Sequence, residues 1–299
     1  MTLRAACRLA VAGAALLLSF AAHAEPRRAA ELREARDPAL QSGLERIARD
    51  LGLEAQVKAE RLSVALLDMT VADAPRLAML NGDTLMYAAS LPKIAILFGA
   101  LVEAERGRLP INDETVGAMT RMIRYSSNED ASRVLNWVGG ERLIEILQSD
   151  PYRFYDPQGA GGLWVGKAYG KEAAYRRDPL RNLSHAATAF QVARLYYLLA
   201  TDTLLNPRMN AVMKEALSNP GIHHKFVKAL DGIPGAQVFR KSGTWKDCHA
   251  DSALVEYAGH RYIMVAIADH PQGGEWLERL GARMHGLVVT PLGSAAAGG

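Results

Sequence analysis

Ala88-Ala89-Ser90-Leu91-Pro92-Lys93-Ile94-Ala95 is the stretch from which the rest of the chain can be read. A serine stands where a helix would begin, and a lysine follows three residues later, a spacing that puts two side chains on one helical face. Pro92 fits only if Ser90 is near the helix start, because proline is tolerated in the first turn and not deeper. Ile94, Ile96, Leu97, Leu101 and Val102 are apolar nearly all round, which predicts a central, buried helix ending near Gly107. A serine hydroxyl is a poor nucleophile until a neighbour takes its proton, and a lysine is a poor base until burial or nearby positive charge lowers its pKa. Moving a lysine from ~10.4 to near 7 requires about 4 kcal/mol from its surroundings. An S-x-x-K tetrapeptide is common, so its chemical meaning rests on the remainder of the chain.

The chain of 299 residues opens with Arg4 and Arg8, an apolar run from Leu9 to Phe20, and Ala22-His23-Ala24 before Glu25-Pro26. A charged start, a short apolar core and an A-x-A site predict a cleaved secretory signal over residues 1–24. The run is too short for a spanning helix, so no membrane span is expected after cleavage. Cleavage removes Cys7 and leaves Cys248 alone, excluding an internal disulfide. Loss of Arg4 and Arg8 lowers the formal charge from +3 to +1, and no Lys/Arg run exceeds a pair. That balance offers nothing to nucleic acid or to a membrane surface. The expected product is a soluble periplasmic or secreted protein.

Residues 25–38 are charged and alanine-rich, and read as a loose lead-in. Leu40, Leu44, Ile47 and Leu51 then recur at helical spacing. Residues 61–69 read as a strand and 77–80 as a shorter one, after a turn at Asp73-Ala74-Pro75. The middle is helical: 113–124, a pair within 130–148 split at Gly139-Gly140, 186–200, and a segment around 209–217. Between them, 151–183 is irregular and holds Gly159, Gly161, Gly162, Gly166 and Gly170; a loop that long is usually functional or disordered. Period-two patterning returns at 236–243, 252–257 and 261–268, with a hairpin turn at Ala258-Gly259-His260. Leu277, Leu280, Met284 and Leu287 mark a closing amphipathic helix, and a disordered tail is expected over 293–299. The predicted organisation is an α/β sheet domain from 25–87 and 221–292, with a helical domain, 88–220, inserted between.

Two further patterns accompany Ser90. Tyr125-Ser126-Ser127-Asn128 precedes an amphipathic helix, and Lys241-Ser242-Gly243-Thr244 ends a predicted strand. In this order, on a helix, a helix entry and a strand edge, the three resemble the serine β-lactamase and DD-peptidase superfamily, in its class A-like branch. The resemblance covers nearly all of the mature chain. It implies an α/β (α+β) fold: an antiparallel sheet flanked by helices from both termini, plus an inserted all-α domain, with the active site between. It implies Ser90 as the acylated nucleophile, Lys93 as its proton acceptor, and Ser126 as the relay to the leaving nitrogen. Asn128 would bind the acyl amide; Lys241 would support Ser126 and attract a substrate carboxylate, with Ser242 and Thr244 donating hydroxyls to it. An acyl transfer also needs an oxyanion hole, for which the backbone N–H groups of Ser90 and Thr244 are the natural pair. Gly243 is expected to let substrate approach the strand closely.

The departures from that family bear on function. No E-x-x-L-N motif, which positions deacylating water in class A β-lactamases, occurs between Pro151 and Leu183. Glu172 is the one glutamate there, and reads more readily as a solvated loop charge than as a base. His185, taken as opening a helix, is a second candidate for deacylation, with a helix-start contact as the plainer reading. The position of a carboxylate-binding arginine falls on Ala250, for which Lys246 or His249 would have to substitute. The segment between S-x-x-K and S-x-N is also short, which would open the cleft. Trp164, Tyr169 and Trp245 are candidate cleft residues, or ordinary packing. His223-His224, His249, His260 and His270 lack metal-ligand spacing, and no cofactor is called for. Three readings follow: a penicillin-recognising, DD-carboxypeptidase-like hydrolase, or one acting on another amide or ester; a class A-type β-lactamase; or an idle domain that binds cell-wall fragments. The substrate in each is a β-lactam or a cell-wall peptide.

Overall fold

A computed structural model describes residues 29–290; the predicted leader, residues 25–28 and the tail lie outside them. Helix α1 (Ala29–Glu34) leads to α2 (Pro38–Asp50), which starts where Asp37 accepts the Leu40 N–H at 2.7 Å and Pro38 takes the first turn. A short α3 (Glu54–Lys58) precedes strands β1 (Leu62–Asp68), β2 (Arg76–Leu80) and β3 (Met86–Tyr87). Helices α4 (Lys93–Glu105), α5 (Asp113–Arg124), α6 (Asn128–Val138) and α7 (Gly140–Gln148) follow. Next come the short strands β4 (Tyr155–Asp156), β5 (Gly161–Gly162), β6 (Trp164–Val165) and β7 (His185–Ala187). Helices α8 (Ala189–Ala200), α9 (Pro207–Leu217) and α10 (Phe226–Leu230) lead to β8 (Gln237–Trp245), β9 (Cys248–Tyr257), β10 (His260–Asp269) and α11 (Gly273–Val289).

The main sheet is antiparallel throughout, in the order β2-β1-β10-β9-β8. It takes strands from both ends of the chain, as the sequence predicts, and leaves β8 at one edge. Alternation sorts its side chains: Leu62, Val64, Leu66, Tyr262, Met264 and Ala266 face α2 and α11, whereas Ala65, Leu67, Ile263, Val265 and Ile267 face the helices of the insertion. Burial on both faces is why β1 reads as an almost continuous apolar run. Helix α4 is enclosed from Lys93 to Glu103, so the charged Lys93 begins a buried rod. Among the described residues, no helix is long and apolar enough to cross a membrane.

Two local expectations are corrected, and the long loop takes a definite form. The loose lead-in is partly α1, with Leu32 3 % exposed and the Arg36 backbone bridged to Leu77. Burying Leu32 contributes about 1.5–3 kcal/mol. The bidentate Arg33–Asp83 pair (2.6 and 2.7 Å), part-exposed, adds at most about 1 kcal/mol, so the apolar contact dominates. His185 does not open a helix: residues 185–187 form β7 between β3 and β6, and α8 starts only after Thr188 accepts the Gln191 N–H. Segment 151–183 is ordered, with Phe154, Tyr155, Leu163, Trp164 and Val165 all in the core. The Asp178 carboxylate holds its far end, accepting the N–H groups of Leu180, Arg181 and Leu183.

Candidate active site

Ser90 lies in a tight turn ahead of α4 rather than in its first α-turn. Lys93 N–H donates to Ser90 O (3.2 Å), Ile94 to Leu91 O (3.2 Å) and Ala95 to Pro92 O (2.9 Å), so the entry is wound i to i+3. Ala89, just before, is held at φ +50°, a left-handed conformation that costs a non-glycine residue on the order of 1–3 kcal/mol. Ser126 carries the same burden at φ +56°. Both strained residues border the site. Ser127 caps α6 by accepting the Asp130 N–H (3.1 Å), and Asp130 is gripped by Arg121 of α5 (2.8 and 3.0 Å), which fixes the Ser126–Asn128 entry.

Lys93 points into this entry. Its Nζ donates to Ser126 O (2.6 Å) and Asn128 Oδ1 (2.8 Å), with Ser127 O at 3.3 Å and Ser126 Oγ at 3.4 Å. Because an ammonium only donates, the oxygen of the Asn128 amide has to face it. From the opposite side, Lys241 Nζ donates to Ser126 Oγ (3.0 Å) and to Ser242 O (2.5 Å). The Lys241 backbone is pinned in turn by Ser252, whose hydroxyl donates to Lys241 O (2.9 Å) and lies 3.2 Å from Tyr196 OH, from which it can accept. Two lysines from different elements therefore converge on one serine hydroxyl.

Burial decides their protonation. Lys93 is fully enclosed, and desolvation lowers its pKa to about 7, the value a lysine base needs. Desolvation, then the nearby Lys93 and Arg240 charges, push Lys241 well below the ordinary lysine range. Two ammonium groups sharing one hydroxyl repel each other, so the pair favours giving up a proton near neutrality. An anionic ligand would return charge to it.

Ser90 opens on a cavity of about 260 Å³, also lined by Asn128, Lys167, Tyr169, His185, Thr244 and Trp245. Its hydroxyl has no hydrogen-bond partner among the described residues, since the protons of Lys93 are spent on the Ser126–Asn128 entry. A nucleophile–base contact that closes only on substrate binding is common in unliganded sites. The strand β8 passes against the Ser90 turn so closely that a Cβ on Gly243 would lie 2.4 Å from Ala88 O and 2.7 Å from Ser90 N. Gly243 is thus required by the protein's own backbone, where the sequence suggested room for substrate.

Tyr169 covers the other face of Lys93. Its ring centroid is 4.5 Å from Lys93 Nζ, and its phenol, held far above the ordinary tyrosine range by desolvation, donates to Ala89 O (3.2 Å). His185 packs against that ring, 4.3 Å between centroids, with Nε2 3.0 Å from Lys167 O and Nδ1 3.2 Å from the Ser184 hydroxyl. Lys167 O can only accept, so Nε2 carries the proton and Nδ1 takes the Ser184 one. Burial keeps the ring neutral, with a pKa of about 4. Both nitrogens are engaged within the protein.

The remaining candidates are dispersed. Glu172 is exposed and borders a neighbouring groove with Tyr87, Lys167 and Trp245, not the Ser90 cavity. Ser242 Oγ lies 3.2 Å from His224 Nε2. Ala250 is buried; Lys246 stands exposed in the β8–β9 turn, and His249 sits against the start of α11. Neither lines the Ser90 cavity. Trp164 is core, whereas Trp245 is 58 % exposed at the cavity mouth. Sequence reasoning missed the Arg240–Asp251 ion pair (2.6 and 2.8 Å), buried behind Lys241, and the buried Lys225. Asp251, a carboxylate within an apolar strand, signals a need for a buried partner; Lys225 has no such local signal.

A model of the β-lactamase enzyme family matches residues 116–286, more than half of the chain, including Ser126, Asn128 and Lys241 but beginning after Ser90. No curated protein matches. Among solved structures, PBP-A is similar at 15 % identity and a TM-score of 0.60, covering 78 % of this chain and 94 % of that one. A mutant of PBP-A, in acyl-enzyme complex with penicillin G, gives 16 % identity, 0.60, and coverage of 83 % and 94 %. The β-lactamase from Sphaerobacter thermophilus gives 13 % identity and 0.64, covering 82 % of this chain and 96 % of its own. The class A β-lactamase of the last common ancestor of Gram-negative bacteria gives 17 % and 0.61, covering 82 % and 98 %. With the fold common to these neighbours and the family match over residues 116–286, this chain belongs to the β-lactamase enzyme family and is a serine hydrolase of the β-lactamase and DD-peptidase type.

Proposed function

We propose that the protein is exported and forms an acyl-enzyme at Ser90, with penicillins as acylating ligands and a cell-wall peptide, or another amide or ester, as substrate. Neutral Lys93 accepts the Ser90 proton as Oγ bonds to the carbonyl carbon, and the N–H groups of Ser90 and Thr244 take the developing oxyanion. Ser126, held by Lys241, passes its proton to the leaving nitrogen as the C–N bond breaks, and is reprotonated from Lys93. Asn128 and the Thr244 hydroxyl, which line the Ser90 cavity, hold the substrate, whereas Ser242 is buried against His224. A water molecule then repeats the sequence on the ester.

The observation that carries this reading over fast β-lactam hydrolysis is Tyr169. Where a deacylating water would need a carboxylate beside Lys93, an aromatic ring covers its Nζ at 4.5 Å, and Glu172 is exposed elsewhere. A β-lactam leaves its amine tethered to the acyl group, whereas a peptide leaving group departs and admits water. PBP-A, of similar fold, has been captured in a mutant form as an acyl-enzyme with penicillin G.

Time-resolved mass spectrometry with penicillin G and with a D-alanyl-D-alanine peptide tests the proposal. A persistent penicilloyl adduct on Ser90, absent from Ser90→Ala, is the expected result. Rapid turnover of penicillin would favour the β-lactamase alternative, and no adduct at all would defeat both.

A further inference from the structure

We propose that Lys225 is a positioning residue for the oxyanion hole: its ammonium, bonded to the Gly243 carbonyl, polarises the Gly243–Thr244 peptide and strengthens the Thr244 N–H as a donor. The inference rests on the reading above, in which that N–H faces the oxyanion.

Lys225 immediately precedes α10 at φ +53° and is 3 % exposed. Its Nζ donates to Gly243 O (2.7 Å), Thr244 Oγ1 (2.8 Å) and Ala250 O (3.1 Å). Three acceptors match the three protons of an ammonium. Desolvation lowers its pKa to about 8, opposed by Asp251, so the cation prevails at neutral pH. The charged and titratable groups around it are Asp251, Cys248 and His249 of β9, Arg240 and Lys241 of β8, and His224 beside it in the chain.

Gly243 C=O and Thr244 N–H are the two ends of one planar trans peptide and point in opposite directions. The carbonyl end is turned toward Lys225 and the paired Ala250. The N–H end is therefore turned to the open side of β8, an edge strand with β9 as its single neighbour, where Thr244 and Ser90 line the same cavity. A charged donor on the carbonyl draws electron density through the amide and makes its N–H more acidic. Hydrogen bonds in series reinforce one another in this way, and charge-assisted ones are about twice as strong as neutral ones. A buried ammonium costs several kcal/mol in desolvation. Gly243 and Ala250, directly opposite each other in a strand ladder, do not need one to be satisfied.

The test uses Lys225→Met, Lys225→Gln and Lys225→Arg in the full chain, with penicillin G labelled by ¹³C at the lactam carbonyl. Acylation of Ser90 is timed by mass spectrometry, and the ester carbonyl stretch of the acyl-enzyme, a direct gauge of the hole, is read by infrared difference spectroscopy. In Met and Gln variants that melt cooperatively, acylation should slow by about tenfold, less than the roughly 10²–10³ for outright loss of a donor. The ester band should also rise in frequency, and Arg should restore both. Should Met fail to fold, Gln against Arg carries the comparison. A wild-type band and rate in the Gln variant would overturn the inference, because a neutral donor would then suffice. Absence of any wild-type adduct would instead remove the parent reading, and this one with it.

Discussion

Gly243→Ala tests how the two halves of the site are held together. The new Cβ would lie 2.4 Å from Ala88 O, 2.7 Å from Ser90 N and 2.8 Å from Leu91 N, about 1 Å inside ordinary contact. All three are backbone atoms, so no rotamer change relieves the clash; either β8 or the Ser90 turn must move. The backbone at Gly243 is ordinary extended strand, so sterics alone carry the penalty. Overpacking of this kind typically costs about 1–3 kcal/mol. A shift approaching 1 Å between Ser90 and Thr244 N–H costs on the order of 10² in acylation rate. Urea unfolding gives the first quantity and acylation by a chromogenic cephalosporin the second. Gly286→Ala on α11 is the control: nothing lies within 4 Å, and the change should stabilise the helix by about 0.4–1 kcal/mol with no effect on rate. A Gly243→Ala protein with the wild-type unfolding midpoint and an acylation rate within twofold would refute the close approach of strand and turn.

Acylation should rise with pH through an apparent value near 7, as Lys93 becomes neutral, and Lys93→Arg should lower it roughly 10²–10⁴-fold; a flat rate from about pH 5.5 to 8.5 would count against Lys93 as base. The same lowered pKa makes stability rise with pH between about 7 and ~10.4, where the unfolded chain holds a proton that the folded chain has released. Arg240→Met strands the fully buried Asp251 carboxylate and should cost about 3–5 kcal/mol in urea unfolding; a loss below about 1 kcal/mol would show the pair to be dispensable. Tyr169→Ala uncovers Lys93 to water and should shorten the penicilloyl-enzyme lifetime by about tenfold or more, read by mass spectrometry; an unchanged lifetime would remove the ring from the account of deacylation.

Much of this molecule is decided by local pattern. The period-two segments became β8, β9 and β10 within a few residues, Asp113–Arg124 formed the helix its amphipathic spacing predicts, and Gly139-Gly140 separated α6 from α7. The three chemical motifs stand on the elements expected of them because caps, turns and apolar periodicity act over a few residues, within reach of sequence reasoning. Failures came where a distant partner decides. Nothing local marks Leu32 and Arg33 as anchored, since their contacts are to the core and to Asp83, fifty residues away from Arg33. His185 lies beside a helical pattern but pairs as a strand, because β3 and β6 supply edges that propensity cannot foresee. Tyr169 over Lys93 and Lys225 behind Gly243 follow the same rule. Read alone, the residues specify most of the secondary elements, a sheet drawn from both ends of the chain and the groups able to do acyl transfer. Which faces of Lys93 are dry, and which peptide a buried ammonium touches, are settled by packing, because desolvation and hydrogen-bond geometry depend on groups brought together from across the chain.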